Sequence, residues 1–378
     1  MLRAGTARAP VGVSCAGGGS LNCLSLPPVA VIIVLQQTPT DDMSDYLVDL
    51  NKLEASFCFK EGFSRPNWQL IGNHVERTVE SEDLNKAWTQ VACQWAARLK
   101  DDLGGDYQVT ESTECILLST ADDKSRGRLL GLAERAAGVI PERLGDAAYR
   151  GGYGKHLLLL FEEEDDYYQY ISYFYPDGNH PASWGIFLHD YYQHIAIYDV
   201  SEVETAQTIT HELTHYFLGH LPIPLWLNEG LAMTFHRAIA GQQRFSLDHD
   251  TADRHPAFWS QTNIQEFWAG TSWQQPGEPS ELSYSLAEML MQLLVGDWND
   301  FIPFVQHAHY SDAGQTASLD YLGKDLAEVV AGVLGEGNWR PNRKRIADLL
   351  KQNADEWAHA QTDEAEAGGN PRNEDPAK

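Results

Sequence analysis

Cysteine is scarce in this chain. Five occur in 378 residues (Cys15, Cys23, Cys58, Cys93 and Cys115), odd in number, widely spaced and without a CxxC pair. That pattern argues against both a zinc knuckle and a disulfide framework, and it favours a reducing, cytoplasmic setting. Cations are also short: 27 Lys and Arg stand against 54 Asp and Glu, a net charge of −27. Phosphate recognition rests on Lys and Arg, so neither nucleic acid nor an anionic membrane is expected as a partner. In the first 42 residues the only apolar run, Val29 to Leu35, is too short to span a bilayer. What is plentiful is large aromatic surface. Eleven Trp and sixteen Tyr, in a chain long enough for two or three domains, supply a real core.

The ends differ from the middle. Residues 1–42, dominated by Ala, Gly, Pro and Ser, read as a disordered or non-native leader ahead of a natural start at Met43. Arg3 and Arg8 would suit a signal peptide, and with it secretion, but Pro27-Pro28 interrupts the apolar region and no small-residue cleavage site follows. From 354 to 378 the chain is acidic and polar, the composition of a disordered tail.

Between these ends the pattern is α+β. A helical packing region is expected over 43–112, with Leu84, Ala87, Trp88, Val91, Trp95 and Leu99 on one side of a helix from Ser81 to Leu103. A second unit follows over 113–240. Its strands are expected at Cys115 to Ser119, His156 to Phe161, Trp184 to Leu188 and His194 to Tyr198, with a helix from Leu129 to Leu144. The acidic run Glu162 to Asp166 reads as the first turn of a helix, where carboxylates favour the positive dipole end. A helical subdomain occupies 241–353, opening on a linker after Gly241. Its strongest helix is Leu282 to Leu294, with others at Trp298 to His309, Gly323 to Leu334 and Asn342 to Asn353.

The chemistry lies in His211-Glu212-Leu213-Thr214-His215, followed by Trp226-Leu227-Asn228-Glu229-Gly230-Leu231-Ala232. Positions four apart on a helix lie nearly above one another, so His211 and His215 can aim two imidazole nitrogens at one point, which suits a zinc ion. Glu212 leans to one side, placed to act as general base on an attacking water rather than as a ligand. The third ligand is expected to be a carboxylate from a nearby helix, and Glu229 arrives after a loop that turns the chain back. Val203, Ala206, Ile209, Leu213 and Phe217 recur at helical spacing and are expected to bury the back of the first helix. Gly219, Pro222 and Pro224 stop that helix and start the next, in which Trp226 and Leu227 are the anchors.

His211 to Ala232, HELTHYFLGHLPIPLWLNEGLA, resembles the gluzincin metallopeptidases, in particular the HExxH plus NEG(F/L)A arrangement of the zinc aminopeptidases. The shorter loop before Glu229 is more similar to the compact peptidase MA-like domains. The resemblance implies a zincin-type catalytic domain with a small mixed sheet, zinc held by His211, His215 and Glu229, and Glu212 as base. It also implies an edge strand over the cleft to which an extended peptide adds by backbone hydrogen bonds. A metzincin is a poorer match, and one aminopeptidase feature is missing. Leu218 and Leu221 occupy the positions where a metzincin needs Gly and His, and the aminopeptidase motif GxMEN is missing from the chain, so aminopeptidase activity is not carried over.

Other polar residues have weaker claims. Tyr284, in a segment similar to the family's tyrosine-bearing helix, is either a donor to the oxyanion or a buried anchor for the helix start. His189 and His194 read as loop or surface residues. His236, seven residues after Glu229, is either a supporting group or a helix-end histidine. The expectation is a zinc-dependent hydrolase, foremost a peptidase, acting on a peptide or protein. The rival is a non-catalytic scaffold that keeps the fold and its cleft to hold a partner.

Overall fold

The runs Cys115–Ser119 and His156–Phe161 are apolar at nearly every position, and a strand that is apolar on both faces needs cover on both. A computed structural model shows how the chain supplies it, describing residues 36–37, 46–149, 151–175, 183–240 and 247–354. The leader read at 1–42, apart from Gln36 and Gln37, and the tail beyond 354 lie outside the described residues.

The strands are β1 (Gln36–Gln37), β2 (Phe57–Lys60), β3 (Phe63–Pro66), β4 (Gln108–Glu111), β5 (Cys115–Ser119), β6 (His156–Phe161), β7 (Gly185–Leu188) and β8 (His194–Tyr198). The helices among them are α1 (Trp68–Thr78), α2 (Leu84–Leu103), α3 (Asp123–Leu144), α4 (Glu164–Ser172), α5 (Glu202–Leu218) and α6 (Leu225–Ile239). Then come α7 (His249–Phe258), α8 (Ile264–Ala269), α9 (Glu278–Leu294), α10 (Trp298–His307), the single turn α11 (Gln315–Ala317), α12 (Leu326–Leu334) and a last helix over 343–354. The chain is α+β, with a small mixed sheet followed by a helical C-terminal region.

One sheet has the order β1-β4-β5-β6-β8-β7, with β5, β6 and β8 parallel and β7 returning antiparallel at the end. Its two faces enter different cores. Leu117, Leu158, Leu160, Ile195 and Ile197 pack with α3, α5 and the C-terminal helices, whereas Ile116, Leu118, Leu157, Leu159 and Ala196 pack with α1, α2 and α4. The acidic residues Glu164, Asp165 and Asp166 do occupy the first turn of α4. Among the described residues, no helix is long and apolar enough to cross a membrane.

Several expectations need correction. The stretch 43–112 contains α1 and α2 but also the β2–β3 hairpin and the sheet strand β4, four residues that carry too short an alternation to register as a pattern. The linker expected after Gly241 holds α7 and α8, whose apolar residues are too few for a clear stripe. Val203, in the first turn of α5, is 66% exposed, while Ile209, Leu213 and Phe217 are buried as expected.

His194 is the largest departure: it is 1% exposed, inside β8. Its Nδ1 lies 3.0 Å from the Tyr192 carbonyl, its Nε2 2.8 Å from the Tyr170 hydroxyl, and its ring meets Trp95 edge-on at 4.8 Å. Burial pushes this imidazole down to about 4. Above about pH 6.5 folded and unfolded chains both hold it neutral, so its contribution is fully present. As the pH falls towards 4 only the unfolded chain takes the proton, and stability is lost. Between pH 7 and 5 the loss from this residue is expected to be about 2 kcal/mol. Urea midpoints at both pH values should fall less in His194→Gln than in wild type, and equal falls would refute the assignment.

Candidate metal centre

Helix α5 starts at Ser201, whose hydroxyl accepts the Glu204 N–H at 3.3 Å. It lies against β7, β8 and α3, so its buried residues, among them Ile209, Leu213 and Phe217, face the sheet core and leave His211 and His215 on the α6 side. The helix ends at Gly219. The chain then turns through Pro222 and Pro224, and the Pro224 carbonyl accepts Leu227 N–H at 3.0 Å and Asn228 N–H at 3.1 Å to open α6. Trp226 and Leu227 are fully buried, and the Trp226 indole donates to the Ala313 carbonyl at 3.0 Å. Both act as the anchors expected. Gly230 lets α9 approach closely, since a Cβ there would lie 2.6 Å from Met291 Cγ.

This turn delivers Glu229 to the two histidines. Glu229 Oε2 is 3.2 Å from His211 Nε2, and Oε1 is 3.5 Å from His215 Nε2. The three ligand atoms all lie within 4.8 Å of one another, so His211, His215 and Glu229 form a group able to hold a metal ion. Two further observations fit that role. Glu229 Oε2 is buried and does not meet hydrogen-bond geometry although His211 Nε2 is 3.2 Å away, as fits two atoms aimed at a common point rather than at each other. His215 Nδ1 lies 3.1 Å from Asn228 Oδ1, which fixes the proton on Nδ1 and leaves the Nε2 lone pair free.

The triad is electrostatically coupled. Burial alone would raise the Glu229 pKa, but His215 and His211 outweigh it and hold the carboxyl below its usual range. Burial would likewise lower His211, yet the adjoining carboxylate raises it.

Glu212 is 8% exposed and, among the described residues, engages no hydrogen bond or ion pair. It lies beside the start of β7: a Cβ on Gly185 would come within 3.6 Å of Glu212 Cγ and 2.1 Å of Thr208 Cγ2. Glycine there allows the outermost strand to run directly along α5. Tyr284 sits in α9, after the helix start, with its ring edge-on to Trp273 at 6.1 Å. Burial raises its pKa, and Glu229 and Glu212 raise it further.

His211, His215 and Glu229 are thus brought together, with Glu212 next to His211 in α5, while Tyr284 lies in α9, which packs against α6. His189 lies between β7 and β8 with its ring edge-on to Phe187 at 6.0 Å, outside the group, and His236 is in the last turn of α6. Sequence reasoning missed Asn228, although its place beside Glu229 in the Asn-Glu-Gly run was a signal. It also missed Gly185, for which sequence carried none. Comparison of the chain with protein-family models, curated proteins and solved structures finds no match.

Proposed function

We propose that this chain is a zinc-dependent hydrolase of peptide bonds, related to the gluzincin and peptidase MA-like enzymes. The carrying observation is the convergence of His211 Nε2, His215 Nε2 and the Glu229 carboxylate within 4.8 Å, beside a Glu212 that is buried and unengaged. Two imidazoles and a carboxylate are a donor set suited to zinc with an open position. Zinc held there would supply a Lewis acid towards a substrate carbonyl and a nearby water. Glu212 accepts the proton of the attacking water at its carboxylate and returns it to the leaving nitrogen. The Tyr284 hydroxyl donates to the developing oxyanion. Asn228 keeps His215 oriented.

Strand β7, the last in the order among the described strands, gives an extended peptide an edge to pair with alongside Glu212. Cys58, Cys93 and Cys115 are free thiols, in keeping with a reducing cytoplasmic location.

Incubating zinc-loaded protein with a diverse peptide mixture, read by mass spectrometry, tests the reading. New termini are expected, and they should vanish after chelation and return with zinc. Intact peptides beside fully metallated protein would reject it.

A further inference from the structure

At the end of the sheet where β6 begins, a cavity of about 120 Å³ is lined by Tyr149, His156 and Tyr216, by the glycine-bearing segment 151–154, and by Tyr191. The glycines bring backbone close to the rings. A Cβ at Gly151 would sit 2.9 Å from the Tyr149 ring. At Gly152, whose φ is +108°, a Cβ would stand 3.8 Å from the Tyr149 hydroxyl and 3.9 Å from that of Tyr216, so both phenols converge on one spot.

Three polar groups around this cavity have no protein partner. Among the described residues, neither the Tyr149 and Tyr216 hydroxyls nor the His156 imidazole makes a hydrogen bond. All three residues are only part-buried, so these groups face the cavity and bond to whatever fills it, water or the polar atom of a ligand. Burial pushes His156 down to about 4, which keeps its ring neutral, with one nitrogen to donate and one to accept. The neighbouring charge is already engaged: Lys155 Nζ bonds Glu111 and the Ser112 carbonyl. Without a free charge among the described lining residues, an ion would enter unpaired, so the occupant is uncharged.

Size and rim narrow it further. A cavity on the order of 150 Å³ takes a six-membered ring, and this one is slightly smaller but open. Tyr153, 54% exposed, offers a ring face for stacking at the mouth, beside Tyr191, which is already stacked on Trp68 at 6.0 Å. The position also connects to the metal centre. Tyr216 follows His215 in α5, and its ring meets Phe187 of β7 edge-on at 5.7 Å and His156 at 4.5 Å. A peptide lying along β7 and continuing past Phe187 is led to this cavity.

We propose that the cavity is a side-chain subsite selecting a hydroxylated ring, a tyrosine phenol, in a peptide held along β7. The assignment to a substrate rests on the peptidase reading, whereas binding of the ring does not. A phenylalanine ring would displace water and leave the three polar groups unpaired, so about tenfold discrimination is expected.

Protein labelled with ¹⁵N-histidine, with and without zinc, is titrated with N-acetyl-tyrosinamide and N-acetyl-phenylalaninamide, following the His156 ring signal assigned through His156→Gln. The tyrosine compound should shift that signal saturably in both metal states. The phenylalanine compound should bind about tenfold more weakly, and Tyr149→Phe/Tyr216→Phe should lose the same factor for the tyrosine compound while keeping its rings. Equal affinities, or no shift at His156, would overturn the proposal and leave a cavity filled by water. Ring binding without any peptide cleavage would fault the peptidase reading instead. Cleavage with no tyrosine preference and a silent His156 would fault the subsite alone.

Discussion

On the proposed peptidase reading, Glu212→Gln is expected to lower peptide hydrolysis by about 10²–10⁴-fold while metal content stays at the wild-type level, measured by kcat on a cleaved peptide beside elemental analysis. The substitution keeps shape and volume at a site that is 8% exposed and tightly flanked by β7, so the fold has no reason to shift. It removes only the capacity to take a proton. The three ligand side chains are untouched, and their mutual distances do not depend on Glu212. A variant as active as wild type would end the general-base assignment, and a variant that lost its metal would show Glu212 to be a ligand.

The second large effect concerns the metal. Wild-type protein should bind one zinc per chain, and its thermal midpoint should rise on adding zinc, since a ligand at about 100 times its Kd contributes about 2.7 kcal/mol. His211→Ala/His215→Ala should abolish both the bound metal and the zinc-dependent rise. The variant also leaves the Glu229 carboxylate buried without its two imidazole neighbours, which by itself costs about 3–5 kcal/mol. The decisive quantity is therefore the dependence of the midpoint on zinc rather than its absolute value. Unchanged metal content in the double variant would place the ion elsewhere.

The candidate metal centre was legible in the sequence because its spacing is short. His211 and His215 are one helical turn apart, and Pro222 and Pro224 announce the break that lets Glu229 return. The central strands β5 and β6 were equally clear, since unbroken apolar runs bounded by polar residues leave few alternatives. What escaped was tertiary. His194 looks like any polar residue at a strand start, and only the Trp95 and Tyr170 brought over it by α2 and α4 make it a core residue. Gly185 carries no local mark of its proximity to Glu212, because that proximity joins an edge strand to a later helix. The β2–β3 hairpin has mostly exposed residues in its first strand, which hides the alternation that identifies strands.

Two of the three ligand atoms belong to α5 and the third to α6, with a proline-bearing turn between. An ion at this centre would therefore tie together two helices separated by that turn, and Glu229, the fifth residue of α6, could not move away without giving up a ligand. Amides of α6 around Glu229 would then exchange more slowly with the ion bound than without it, so their hydrogen-exchange rates would report occupancy of the centre beyond the fraying usual at a helix start.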